Sequence, residues 1–225
     1  MTEQSDRAEA RRPLKTRGWP IARKIADRLI ATGISPNTIS MSSIGFAIFA
    51  MLCLVGTGQT DGALSRMLFV LSIVGVQGRL LANLFDGMVA VNSGQASKTG
   101  ELFNEIPDRI ADAAILIGAG FAAGAIPTLG YLAAIMALII AYVRALGASM
   151  GAGQLFLGPM AKPHRMATIT GACVYCAIAP ETWPLALGAE RFGMMSLALT
   201  VIVVAGVYTA ARRTRLIAES LRDAA

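Results

Sequence analysis

Between Ile39 and Ala210 the sequence is a succession of apolar runs, several of which reach the roughly 20 residues an α-helix needs to cross a ~30 Å hydrocarbon core. The runs lack the even alternation that barrel strands require. An ordinary water-soluble domain is therefore excluded. The balance of 55% apolar to 15% charged residues over 225 positions points the same way. The expected fold class is an all-α integral membrane protein.

Turn-forming residues divide this region into six transmembrane helices. Ser35, Pro36 and Asn37 break the chain before a first span of about Ile39 to Gly56, with Asn37 or Thr38 as its cap. Asp61 and Gly62 mark a turn, and a second span runs from about Ala63 toward Asp86. A polar connection from Asn92 to Thr99 leads to a third, from about Gly100 to Ala125. Pro127 ends it, and a fourth occupies Leu129 to about Gly151. The segment Gly158, Pro159, Lys162, Pro163, His164 and Arg165 reads as a loop, with His164 at its surface. A fifth span follows to about Ala179, a turn between Pro180 and Pro184, and a sixth from Phe192 to Ala210.

The flanks are polar. Residues 1–18 form a basic arm with no apolar core of the signal-peptide kind. Over 19–34, Trp19, Ala22, Ile25, Ala26, Leu29 and Ile30 recur at helical spacing opposite Arg23, Lys24, Asp27 and Arg28, the pattern of an interfacial amphipathic helix. Residues 35–215 then make up the six-helix domain, and 216–225 a C-terminal tail. The formal charge of +6 is concentrated before the first span, which suits an anionic lipid surface and not nucleic acid. Lys98, Lys162, Arg165 and the basic cluster after Ala210 share one side, against only Arg66 and Arg191 on the other. The positive-inside rule places both termini in the cytoplasm, as for a bacterial-type inner membrane protein. Cys173 and Cys176 have CxxC spacing but sit in an apolar helix, where they read as small packing residues. The Gly120/Gly124 and Gly147/Gly151 spacings offer a surface for a homodimer.

Polar groups concentrate between Arg79 and Asp112, and here the apolar stretch Ala113 to Ala125 is too short to span alone. The polar start of the third helix must therefore reach membrane depth. On that helix Asn104, Asp108, Glu101, Asp112 and Glu105 share a sector of about 100°, and Arg79, Asn83, Asp86 and Gly87 share a similar sector of about 100° on the second. Such faces can meet. Carboxylates crowded near a bilayer need a cation or a basic partner, and oxygen-only ligands point to Mg²⁺, Mn²⁺ or Ca²⁺. Pairing with Arg79 and Arg109 is the structural alternative. Gly87 and Gly100 would let a bulky phosphorylated ligand approach the backbone.

The motif Asn83-x-x-Asp86-Gly87-x-x-Ala90, followed by Gly100-x-x-x-Asn104-x-x-x-Asp108, resembles the signature DxxDGxxAR…GxxxDxxxD of the CDP-alcohol phosphotransferases. Asp86, Gly87, Ala90, Gly100 and Asp108 match in identity and register. Asn83 and Asn104 stand at the first and third aspartate positions, and Val91 replaces the arginine. The resemblance implies a cytoplasm-facing site holding two Mg²⁺ or Mn²⁺ ions. There a CDP-linked lipid such as CDP-diacylglycerol gives its phosphatidyl group to an alcohol acceptor and CMP leaves. It implies that Asn83, Asp86, Asn104 and Asp108 ligate metal and that Asp108 is the catalytic base. Gly87, Ala90 and Gly100 would line the nucleotide pocket, closed by Asn37 and Thr38. Arg79, Arg144, Lys162 and Arg165 become substrate-binding candidates, Lys162 and Arg165 for the acceptor's phosphate, and Lys98 could replace the missing arginine. The two asparagines halve the negative charge at the matching positions. Three outcomes stay open: Glu105, Glu101 or Asp112 makes up the deficit, one metal binds instead of two, or the chain is a catalytically silent lipid-binding or assembly partner.

Overall fold

The computed structural model describes residues 19–94, 98–154, 156–179 and 192–223, and the side chains of 98–101 lie outside that description. The basic arm, the side chains of Lys98 and Glu101, the Pro180–Pro184 turn and Arg191 therefore fall outside the described residues. Among those described, all regular structure is helical: α1 (Pro20–Ala31), α2 (Pro36–Thr57), α3 (Gly62–Asn92), α4 (Lys98–Gly120), α5 (Pro127–Ser149), α6 (Lys162–Ile178) and α7 (Met194–Asp223).

The helix starts follow local chemistry. Ser35 caps α2 by accepting the Thr38 N–H at 3.2 Å, and Pro36 fills the first helical position, where a missing N–H costs nothing. The cap is thus Ser35, two residues before Asn37 and three before Thr38. Pro127 opens α5 in the same way, so its helix begins two residues before Leu129. At α6 the correction is larger. Lys162, Pro163, His164 and Arg165 form the first helical turn and not a loop, with Ala161 at the N-cap and His164 exposed. Proline tolerated at a helix start explains why a Pro-containing stretch read as loop.

Helix ends differ where packing decides them. α4 stops at Gly120, five residues short of Ala125, because the chain turns through Gly124 at φ +67°. At the other end of the molecule α7 continues to Asp223, and Ile217 is buried on the bundle, so residues 216–223 extend the helix and are no separate tail.

α2 packs on α3 and α4, α5 on α4 and α7, and α6 on α3 and α7, while α1 lies along α3. Ala22 and Ala26 of α1 meet Met88, Leu84 and Phe85, leaving Trp19 and Ile21 exposed on the far side. This is an amphipathic helix with its small residues on protein. The core is alanine-rich, built around Ala47, Ala50, Leu54, Val76, Ile115, Leu116, Met166, Ile169, Leu199 and Ile202.

Close approach depends on a few glycines. A Cβ at Gly75 would lie 2.9 Å from both the Ala50 Cβ and the Phe46 carbonyl, so α2 and α3 touch at backbone distance. Gly120 meets Gly130 across α4 and α5, and Gly147 meets Ile217 across α5 and α7. Gly124 and Gly151 lie beyond the ends of their helices with positive φ. Gly120, Gly124 and Gly147 are thus met by contacts within the chain, while Gly151 meets nothing within 4 Å.

Four helices, α2, α3, α5 and α7, are long and apolar enough to cross a membrane. The other two differ for distinct reasons: α6 has only 17 residues, and the first half of α4 is charged. Both are shielded by neighbours, with Ala111, Ile115, Leu116 and Ala119 of α4 and Met166, Ile169 and Cys173 of α6 fully buried. Cys173 takes the Ser72 hydroxyl at 3.4 Å, in keeping with a packing role.

Gly75→Ala is expected to destabilise the bundle by about 1–3 kcal/mol through overpacking. Gly45→Ala, with nothing within 4 Å of the added carbon, is expected to be neutral or slightly stabilising. Thermal unfolding of the detergent-solubilised variants checks the pair.

Candidate active site

Among the described residues Asp112 is the most enclosed acid, 1% exposed one turn after Asp108 on α4. Its Oδ1 receives Arg79 from α3 at 2.5 Å and its Oδ2 receives Arg165 from α6 at 2.6 Å. Arg79 is 0% and Arg165 2% exposed, and Arg165 also donates to the Met160 carbonyl at 2.8 Å. The second, third and fifth bundle helices are thus joined through one carboxylate. Asp112 is saturated by guanidinium donors, so it does not supply the charge that the two asparagines lack.

Asp108 stands at the edge of the same network. Lys162 Nζ lies 2.5 Å from its Oδ2, while Asn83 Nδ2 at 2.6 Å and Arg79 at 3.3 Å donate to its Oδ1. Arg109 is a further 3.8 Å neighbour. Asp86 accepts the buried hydroxyl of Ser40 from α2 and lies within electrostatic range of Asp108 and Lys162. The polar faces of α3 and α4 do meet, and Asp108 takes the pairing with Arg79 and Arg109 that was the structural alternative. Each acid is answered by a base or a hydroxyl, and among the described residues no group of three or more His, Cys, Asp or Glu side chains is gathered to hold a metal.

Two buried oxygens nevertheless lack a protein donor, Oδ1 of Asp86 and Oδ1 of Asn104. An unpaired buried carboxylate oxygen is costly, and a hard cation is one partner that removes the cost. The Asn83 amide group gives its N–H to Asp108, which leaves its oxygen as an acceptor. Asp86, Asn104 and Asn83 thus each offer an oxygen of the kind that hard cations take. They fit a magnesium or manganese ion in kind.

Beside this network lies a cleft of about 460 Å³. Its walls come from α3 (Gln77, Leu80, Asn83), α4 (Glu105, Asp108, Arg109), α5 (Ile140, Arg144), the α6 start (Lys162, Arg165) and α7 (Arg213). Arg144 is paired and not isolated: it contacts Glu105 at 2.7 Å and Gln154 at 2.5 Å and lies 5.5 Å from the Phe156 ring centre. Glu105 also takes Arg109 at 3.0 Å, so both its oxygens are engaged by bases.

Of the residues expected from sequence, Asn83, Glu105, Asp108, Arg144, Lys162 and Arg165 converge on the cleft. Arg79 and Asp112 lie buried behind them, while Asp86 turns to Ser40. Asn37 and Thr38 are exposed at the start of α2, with Thr38 bonded to Ser35, and neither lines the cleft. Gly87 and Ala90 are half-buried on α3, and Gly100 belongs to the first turn of α4. Two contributors were missed. Ser40 is one turn beyond Asn37 on α2, a spacing that could have revealed it. Arg213 donates to the Leu157 carbonyl at 2.7 Å, yet in sequence it is indistinguishable from its neighbours in a basic cluster.

The structure thus combines a helical bundle with four helices apolar enough to cross a membrane, NxxDG and GxxxNxxxD segments on adjacent helices and a basic cleft beside Asp108. No protein-family model matches the chain. The phosphatidylinositol phosphate synthase of Mycobacteroides abscessus is 22% identical over 207 residues, covering 89% of this chain and 84% of that protein. The crystal structure of Mycobacterium tuberculosis phosphatidylinositol phosphate synthase with CDP-DAG bound shares the fold at a TM-score of 0.71 and 18% identity, over 88% of this chain and 94% of that one. The same enzyme in complex with manganese and citrate gives 0.70 and 18% over 87% and 88%. The chain thus shares its fold with phosphatidylinositol phosphate synthases and is similar to them at low identity.

Asp112→Asn removes the charge that holds two buried guanidiniums, and a loss of about 3–5 kcal/mol is expected. Thermal unfolding measures it, and a change below about 1 kcal/mol would show that the clamp carries no stability.

Proposed function

We propose that the protein transfers a phosphatidyl group from a CDP-linked lipid, such as CDP-diacylglycerol, to an alcohol acceptor and releases CMP. The observation that carries this reading is Asp108. It ends the family signature and is held at the cleft wall by Lys162, Asn83 and Arg79. The acceptor hydroxyl attacks the lipid-bearing phosphorus, the bond from that phosphorus to the CMP oxygen breaks, and the hydroxyl proton passes to Asp108. A bound Mg²⁺ or Mn²⁺, held by Asp86, Asn104 and Asn83, supplies charge neutralisation for the diphosphate. The Mycobacterium tuberculosis structures with CDP-DAG and with manganese support both parts by analogy.

Specificity follows from the basic wall. An ammonium has three donors, so Lys162 can keep Asp108 and still reach a phosphate oxygen. Arg144 is held by Glu105 and Gln154 in the orientation a planar guanidinium needs to grip a second. A phosphorylated acceptor, glycerol 3-phosphate or an inositol phosphate, suits this wall better than serine or another neutral alcohol. In the membrane, six spans with both termini and the site on the cytoplasmic side of a bacterial-type inner membrane agree with the shielding of α4 and α6.

The second reading, a silent lipid-binding or assembly protein, rests on the same residue, because both oxygens of Asp108 are already engaged by donors. CMP release separates the two. Purified protein in lipid nanodiscs, given CDP-diacylglycerol, Mn²⁺ and a panel of alcohols, is expected to release CMP with a phosphorylated acceptor. Asp108→Asn is expected to lower the rate by about 10²–10⁴-fold, and chelation to abolish it until Mn²⁺ is restored. Wild-type protein that binds CDP-diacylglycerol yet yields no CMP with any acceptor would establish the silent reading.

A further inference from the structure

We infer that Lys162 occupies the place of a second divalent cation, so that the site works with one metal ion and one tethered ammonium. The inference rests on the proposed metal-dependent reading and concerns how charge is distributed within it. Two divalent ions held between α3 and α4 need carboxylates at the metal-facing positions, since hard cations are bound tightly by net negative charge. Here Asn83 and Asn104 are neutral, and the remaining signature acids are unequal. Asp86 keeps a buried oxygen without a donor, as does Asn104, whereas Asp108 keeps none free of one. Its Oδ2 is 2.5 Å from Lys162 Nζ, and its Oδ1 takes the Asn83 amide at 2.6 Å and Arg79 at 3.3 Å.

The orientation of Asn83 matters. An aspartate at position 83 would place a second acid against Asp108 and require a cation between them. The asparagine instead donates its N–H to Asp108, making the pair self-sufficient without metal. Lys162 then supplies the positive charge. It lies at the N-terminus of α6, where Ala161 is the N-cap, and Pro163 and the buried Arg165 fix that turn against α4. A metal near Asp108 would have to displace this ammonium or sit beside it, and like charges about 4 Å apart repel strongly at the dielectric of a partly buried site. The two asparagines and the lysine therefore form one coordinated substitution, and the lone-oxygen pair of Asp86 and Asn104 marks the surviving metal position.

The test is metal stoichiometry in the full-length protein. Mn²⁺ binding is measured by equilibrium dialysis and electron paramagnetic resonance in nanodiscs, without substrate. Wild type is expected to take about one equivalent with the spectrum of an isolated ion. The triple variant Asn83→Asp, Asn104→Asp, Lys162→Met is expected to take about two, with the exchange-coupled spectrum of neighbouring ions. The double variant Asn83→Asp, Asn104→Asp, with Lys162 retained, is expected to bind its second ion at least about 100-fold more weakly than the triple variant. Two tight equivalents in wild type, or a double variant as competent as the triple, would overturn the assignment. If the triple variant does not fold, Lys162→Arg provides the check: it should stay at about one equivalent, whereas uptake of a second ion would overturn the role of the charge. Failure of the catalytic reading shows separately, as normal Mn²⁺ binding without CMP release.

Discussion

Asp112 holds together parts of the chain that have little else in common. An ionised acid in the middle of a helical bundle is unfavourable unless its oxygens are fully bonded, and here both are taken by arginines from different helices. The clamp fixes the rotation of α4 about its own axis relative to α3 and α6. Once Asp112 points inward, Asp108 one turn earlier must stand at the cleft edge, and Asn104 one turn earlier still must face the same side. The geometry of the reacting region is thus set by a residue that does no chemistry.

This arrangement explains why the cleft is basic although its signature is acidic. Guanidiniums that enter to satisfy Asp112 also approach Asp108, and Lys162 adds to them. The field in the cleft attracts phosphates before any metal is considered. Although asparagines stand at two positions of the motif, charge of the right sign for an anionic ligand is present, carried by side chains.

Much of the fold was legible because apolar length and turn residues are local signals: all six bundle helices and the amphipathic α1 were foreseen, most ends shifted by a few residues and α7 running on from Ala210 to Asp223. The shifts arose where tertiary contact overrode propensity, as at Gly120, where contact with Gly130 ends the regular packing, and along α7, where Ile217 extends the buried face. The signature residues were legible through spacing. Their partners were not. Helical periodicity shows that Asp108 and Asp112 share a face, but not whether that face meets acids, as two facing carboxylate surfaces require, or the bases Arg165 and Lys162, which lie some fifty residues away in a stretch that looks like loop. Ser40 and Arg213 escaped for the same reason, since a serine in an apolar helix or an arginine among arginines acquires meaning only from what it touches.

The shielding of α4 also has a consequence for biogenesis. A segment that carries Glu105, Asp108, Arg109 and Asp112 is a poor substrate for insertion into lipid on its own, because charged side chains at the helix centre oppose partitioning. Arg79 is already synthesised when Asp112 emerges, but Arg165 follows 53 residues later. Until α6 is made, α4 has only half of its buried counter-charge, so the cleft and the pairing of its deepest acid are completed together by the same late segment.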